Sequence, residues 1–185
     1  MTVAKTYLNA EDLLRDSFQL AINILKSDFR PNFIVGVWRG GTPIGIAVQE
    51  LLDYYGVESD HIAIRTSSYI GMQQQKTVKV HGLEYIIENI NAEDSLLIVD
   101  DVFDSGRSIE AVMRDLNLKC RKNMPEDVRI ATVYYKPTRN KTSLKPDFYC
   151  RETDEWLVFP HELKDLSIEE IEQNKGLKLP EIPNL

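Results

Sequence analysis

The sequence predicts an α/β fold with a mostly parallel central sheet flanked by helices. Three observations carry that expectation. Apolar runs of strand length alternate with stretches of helical spacing. The runs Phe33 to Val37 and Leu96 to Val99 lead into glycine-bearing turns that open helical patterns. Leu96 to Val99 is apolar at every position, as in a strand covered on both faces.

Taken in chain order, Leu14, Phe18, Ala21, Ile22 and Leu25 recur at three- and four-residue spacing, with Asn9 before them as a cap and Glu11 and Asp12 in the first turn. This predicts an amphipathic helix with those residues on its apolar face. Phe33 to Val37 reads as a strand entering Arg39, Gly40 and Gly41, and Pro43 to Tyr55 as a helix packed through Ile44, Ala47, Val48, Leu51 and Leu52. Residues 61–65 alternate as a strand, after which Thr66 to Val80, with Gln73 to Gln75 at its middle, reads as a flexible loop. Leu96 to Val99 is the next strand, Ser108 to Leu118 a helix with Ile109, Val112, Met113 and Leu116 on one face, and Val128 to Tyr135 a further strand. Phe148 to Phe159 breaks into short apolar pieces, and residues from about Asn174 to Leu185, rich in Lys, Glu and Pro, read as a surface tail.

Composition narrows the function classes. A chain of 185 residues with 43% hydrophobic content is expected to form one domain over its whole length. A net charge of -7 opposes nucleic-acid binding, which draws on clustered Lys and Arg. Cys120 and Cys150 have no spacing of a disulfide framework or zinc site, which fits a reducing compartment. Met1 to Ala10 lacks a secretory pattern and no stretch approaches the roughly 18 apolar residues of a membrane span, so a cytoplasmic protein without a membrane partner is expected.

The chemistry concentrates in LLIVDDVFDSGRS, Leu96 to Ser108. Ligands of open α/β sheets bind beyond the carboxyl ends of the strands, which is where Asp100 and Asp101 fall. Carboxylates accept from sugar hydroxyls and suit Mg²⁺, which takes one or two of them together with substrate phosphates. Just beyond, Asp104 to Ser108 offers backbone N–H groups and hydroxyls at a helix start, where the dipole favours a phosphate. Taken piece by piece, paired acids after a strand also fit a solvated turn, and a Ser-Gly pair fits a helix entry.

In this order the residues resemble the phosphoribosyl pyrophosphate (PRPP) motif of the type I phosphoribosyltransferases: four apolar residues, two acids, then acid, small hydroxyl, glycine and hydroxyl. The resemblance implies that fold, with a small C-terminal hood, and roles for single positions. Asp100 and Asp101 match the acids that hold the ribose hydroxyls, Asp101 also lying near the metal, Mg²⁺. Ser105, Gly106, Arg107 and Ser108 match the loop around the 5-phosphate, with Ser105 where threonine is usual. Asp104 matches the acid that handles the proton on ring nitrogen seven in purine-specific members, the catalytic role.

Other segments extend the resemblance over residues 33–162. VGVWRGGTPIG, Val35 to Gly45, is similar to the pyrophosphate loop, with Arg39 and Gly40 as the matching pair. Glycine there lets the backbone approach an anion or adopt a strained peptide geometry. Thr66, Ser67, Ser68 and Tyr69 resemble the opening of the flexible loop, about 66–80, that closes over the site and keeps water from a reactive sugar. Lys136 resembles the lysine that donates to the exocyclic oxygen of a 6-oxopurine. DFYCRETDEWLVFPHE, about 147–162, resembles the hood of bacterial xanthine-guanine phosphoribosyltransferase, in which Trp156 matches the tryptophan stacked on the purine and Leu157 supplies backbone groups to the base edge.

The resemblance therefore implies PRPP and hypoxanthine, guanine or xanthine as substrates, and a homo-oligomer, dimer or tetramer. Two alternatives stay open from the residues: a PRPP-sensing regulator without transferase activity, and a pyrimidine or orotate enzyme, against which Lys136 and Trp156 speak. His61, His81 and His161 receive no role, because no spacing links them to a metal or nucleophile.

Overall fold

The structure is a computed structural model that describes residues 5–70 and 76–180; the side chains of residues 68–70 and 76–77 are not described. The elements follow in the order β1 (Lys5–Tyr7), α1 (Ala10–Leu25), β2 (Phe33–Trp38), α2 (Gly41–Tyr54), β3 (Asp60–Ile70), β4 (Lys76–His81), α3 (Glu84–Asn89), β5 (Ser95–Phe103), α4 (Arg107–Cys120), β6 (Asp127–Tyr135), β7 (Phe148–Glu152), β8 (Trp156–Val158) and α5 (Ile168–Lys175). Two compact units result, Leu13–Asp154 and Met1–Asp12 with Glu155–Leu185.

The larger unit is the α/β body. Its six-stranded sheet has the order β4-β3-β2-β5-β6-β7, parallel except where β4 returns antiparallel to β3. On one face Val35, Val37, Ile64, Leu96, Ile98 and Ile130 pack under Leu83 and Ile86 of the α3 segment and Ile109, Val112 and Leu116 of α4. The alternate residues Ile34, Leu97, Val99, Ala131 and Val133 are equally buried and face the other way. There Gly36 lies against Thr42 and Gly45 of α2, a close approach of helix to strand. Central strands covered on both faces explain the unbroken apolar runs.

Three local expectations change. The apolar stripe of α1 is rotated: Leu13, Leu20, Ala21 and Ile24 are buried with Asp16 and Ser17, and Leu14 is 49% exposed. Asp16 can be buried because Arg151 of β7 pairs with both of its oxygens, Nε to Oδ2 at 2.7 Å and Nη2 to Oδ1 at 3.0 Å. The first strand of the 61–80 region runs to Ile70, and residues 76–80 return beside it, so both described ends of the expected loop are a β-ladder pairing Thr66 with Val80 and Ser68 with Val78. Gln73 to Gln75 lie outside the described residues. Third, β5 continues past Val99 through both acids to Phe103.

The smaller unit joins chain segments remote in sequence. β1 pairs parallel with β8, Lys5 opposite Trp156 and Tyr7 opposite Val158. Lys5 Nζ meets Glu170 Oε1 at 2.7 Å, and Lys175 Nζ donates to the Phe159 carbonyl. α5 opens on a capping box in which Ser167 and Glu170 bond each other's backbone N–H.

Candidate active site

At the carboxyl end of β5 the chain passes from a buried apolar strand to Asp100 and Asp101, both half-buried. The Asp101 amide donates to Asp100 Oδ1 at 3.0 Å, and the Val102 amide to Asp101 Oδ1 at 2.7 Å. Burial and the neighbouring charge of Asp101 push the Asp100 carboxyl well above the usual carboxylate range. Two carboxylates held this close favour a cation or a set of hydroxyl donors between themselves and solvent.

The turn from β2 into α2 lies directly against these acids. A Cβ at Gly40 would overlap the Asp101 carboxylate, and one at Gly41 would overlap the Val99 carbonyl and stand 2.8 Å from Asp100 Cα. Glycine at position 41 is thus a steric requirement, because backbone stands in the way, whereas a side chain at position 40 would displace the Asp101 carboxylate. The Trp38–Arg39 peptide bond is cis. Arg39 is exposed, and its carbonyl accepts from the Thr42 amide at 3.2 Å. Two motifs 60 residues apart in sequence are thereby one wall of the site.

Beyond the acids, Asp100, Phe103, Asp104, Ser105, Gly106 and Ser108 line a cavity of about 70 Å³ at the start of α4. Gly106 has φ +75° and caps that helix. A Cβ there would stand 2.8 Å from the Phe103 ring and 2.5 Å from Thr142 Oγ1, so backbone conformation and space both exclude a side chain. Amides at the opening of a fourteen-residue helix, beside hydroxyls, suit a phosphate-sized anion. Arg107 is exposed on the first turn.

Lys136, at the end of β6, is buried, and its amide donates to the Phe103 carbonyl at 2.9 Å. Its Nζ lies 3.3 Å from Asp104 Oδ2, while Arg139 Nε lies 3.2 Å from Asp104 Oδ1. A buried ammonium needs such a partner. The structure therefore joins Asp104 to Lys136 and adds Arg139, which sequence reasoning missed. The Lys141 amide donates to the Ser105 carbonyl at 3.0 Å, so the segment after β6 fastens the turn that opens α4. Its run of bases, Lys136, Arg139 and Lys141, was the available signal.

The remaining expected residues belong to other elements. Ser67 Oγ sits 3.3 Å from His81 Nε2 across the β3–β4 ladder, while the Ser68 and Tyr69 side chains are outside the described set. Trp156 is 50% exposed on β8, and Leu157 is buried in the smaller unit with its backbone registered against Thr6. Among the described residues, no group of three or more His, Cys, Asp or Glu is arranged to hold a metal, and no helix is long and apolar enough to cross a membrane.

Residues 3–167 match the family described as Phosphoribosyl transferase domain. The chain is 28% identical over 145 residues to a xanthine-guanine phosphoribosyltransferase of Cereibacter sphaeroides, covering 77% of this chain and 74% of that one. A solved purine phosphoribosyltransferase from Pyrococcus horikoshii superposes with TM-score 0.70 at 26% identity, over 88% of this chain and 97% of its own. The xanthine-guanine-hypoxanthine phosphoribosyltransferase of Helicobacter pylori gives 0.65 at 25% identity, over 84% and 92%.

Proposed function

Because this chain belongs to the phosphoribosyl transferase family, we propose that it transfers the 5-phosphoribosyl group of PRPP to a 6-oxopurine, hypoxanthine, guanine or xanthine. The products are the purine 5-monophosphate and pyrophosphate, a reaction of purine salvage. The observation that carries the reading is the Lys136–Asp104 pair beside the Asp100 cavity. Lysine only donates, so Lys136 suits an exocyclic oxygen and disfavours the amino group that adenine carries there. The similarity to purine enzymes supports the same choice.

In this reading the 5-phosphate takes the amides and hydroxyls of Ser105 to Ser108, and the ribose hydroxyls donate to Asp100 and Asp101. The exposed Arg39 and the Gly40 backbone receive the pyrophosphate. The ring nitrogen of the base bonds to the anomeric carbon as the bond to pyrophosphate breaks, and the base's ring proton passes to the Asp104 carboxylate. The paired acids lie near the positive charge that develops on the sugar. Trp156 presents an exposed indole of the kind that stacks on purines, and Leu157 backbone groups meet the base edge by the same resemblance. The Ser67, Ser68 and Tyr69 segment belongs to the loop that excludes water.

The donor set fits Mg²⁺: adjacent carboxylates at Asp100 and Asp101 supply hard oxygens, which the ion takes together with substrate phosphates. Asp101 would hold it, and bound there it supplies charge neutralisation for the departing pyrophosphate. A cytoplasmic homo-oligomer, dimer or tetramer, completes the reading.

The test is pyrophosphate release from PRPP and Mg²⁺ with hypoxanthine, guanine, xanthine, adenine and orotate offered separately. Turnover with one or more 6-oxopurines is expected. Turnover with orotate or adenine alone, or binding of PRPP without consumption, would overturn the assignment.

A further inference from the structure

Thr132 lies on β6 with no exposed surface, and among the described residues its hydroxyl meets no hydrogen-bond partner. Valine has nearly the same shape without the desolvation cost of an unpaired buried hydroxyl. A residue that weakens an otherwise apolar strand, Ile130, Ala131, Val133, points to a demand from the site. The register shows what stands next to it. Ile98 is paired with Ile130 and Asp100 with Thr132 across the parallel strands β5 and β6. Ile98 and Ile130 both belong to the core under α3 and α4. By the two-residue period, Asp100 and Thr132 project to that same face, one step nearer the strand ends, on strands roughly 4.8 Å apart. Asp100 lines the cavity at the α4 start, and one of its oxygens already accepts the Asp101 amide.

We infer that Thr132 is a positioning residue for Asp100: its hydroxyl donates to the Asp100 carboxylate once ribose hydroxyls engage that group, and so fixes the carboxylate as their acceptor. The inference rests on reading this cavity as the PRPP site. A carboxylate has about four lone-pair sites, enough for its strand neighbour's amide, a sugar hydroxyl and a threonine hydroxyl together. The Asp100 carboxylate turns about its own side-chain torsions as the sugar hydroxyls engage it, so the bond forms by side-chain reorientation without moving the strand.

Thr132→Val, Thr132→Ala and Thr132→Ser in the full chain test this, with melting followed without and with PRPP and kinetics read as pyrophosphate release. Thr132→Val is expected to melt no lower than the wild type without PRPP. Its kcat/KM for PRPP should fall about tenfold or more while KM for the base stays within about twofold, and Thr132→Ser should recover most of the loss. If Thr132→Val is poorly folded, Thr132→Ala against Thr132→Ser gives the same contrast at a position both can occupy. A folded variant lacking the hydroxyl with unchanged PRPP kinetics, or a serine variant no better than alanine, overturns the inference. A wild-type chain that neither binds nor consumes PRPP overturns the site reading instead.

Discussion

Ionising Asp100 in the folded state carries a cost, because burial and the Asp101 charge raise its pKa there. A carboxyl whose folded pKa exceeds its unfolded value holds its proton more tightly when folded. Stability is then lost as pH rises from the unfolded value through the folded one, and the penalty is full above both. Asp100→Asn should therefore raise the melting temperature at pH 7, by about 2–4 °C for each kcal/mol relieved, and remove the PRPP-dependent rise in the same melt. A lower melting temperature would show that the carboxylate is structural. Asp104, between Lys136 and Arg139, carries the opposite expectation: Asp104→Asn should cut turnover about 10²-fold or more if it handles the proton of the base, and an unchanged rate would remove that role. The acids, the glycines and Lys136 were legible because short motifs specify them. Arg139, Thr132 and Thr142 were not, since their significance lies in what stands across from them: Asp104, Asp100 and Gly106.

At the scale of elements, β5 and β2 were readable from unbroken apolar runs, because burial on both faces removes alternation. The face of α1 was misread for a reason that can be measured. Its buried stripe contains Asp16, which sequence periodicity counts as polar, yet Arg151 and the Cys150 thiol, the latter donating to the Asp16 carbonyl at 3.2 Å, receive it. Burial, with the Asp16 charge adding to it, pushes that thiol up to about 11, so it stays protonated near neutrality. Since Arg151 is more than half exposed, Arg151→Ala should cost only about 1–2 kcal/mol in urea unfolding, mostly by stranding Asp16. The loss in Asp16→Ala plus Arg151→Ala should fall short of the sum of the singles by about 0.5 kcal/mol or more. Strict additivity would mean that the pair does not tie α1 to β7.

At the scale of the whole molecule, the smaller unit depends on a pairing between the two ends of the chain. Glu170 is held down to about 2, chiefly by its hydrogen bond from Lys5 and next by the Ser167 amide. A depressed carboxylate contributes stability above its unfolded pKa, near 4.5, and loses it as pH falls toward 2. Protection against hydrogen exchange at β1 and α5, taken relative to the intrinsic rate at each pH, should fall across that window, and in Lys5→Ala the fall should begin at higher pH; protection that ignores Lys5 would exclude the tie. The capping box of α5, Ser167 to Glu170, was written in the sequence and went unread just ahead of the expected tail from about Asn174. β1 carried no such mark, because three half-buried residues have no period to detect and their partner lies some 150 positions away. By itself the sequence determined the α/β class, the glycine-bearing turn after β2 and the acid pair and helix start that follow the apolar run of β5, since these rest on local spacing, local burial and local turn geometry. Only the tertiary structure decided that the Gly40–Gly41 turn abuts the acids, that Asp104 is shared by Lys136 and Arg139, that Thr132 stands beside Asp100 and that the chain ends pair. Those are contacts across strands and between distant segments, and their energy depends on positions that no local window of sequence contains.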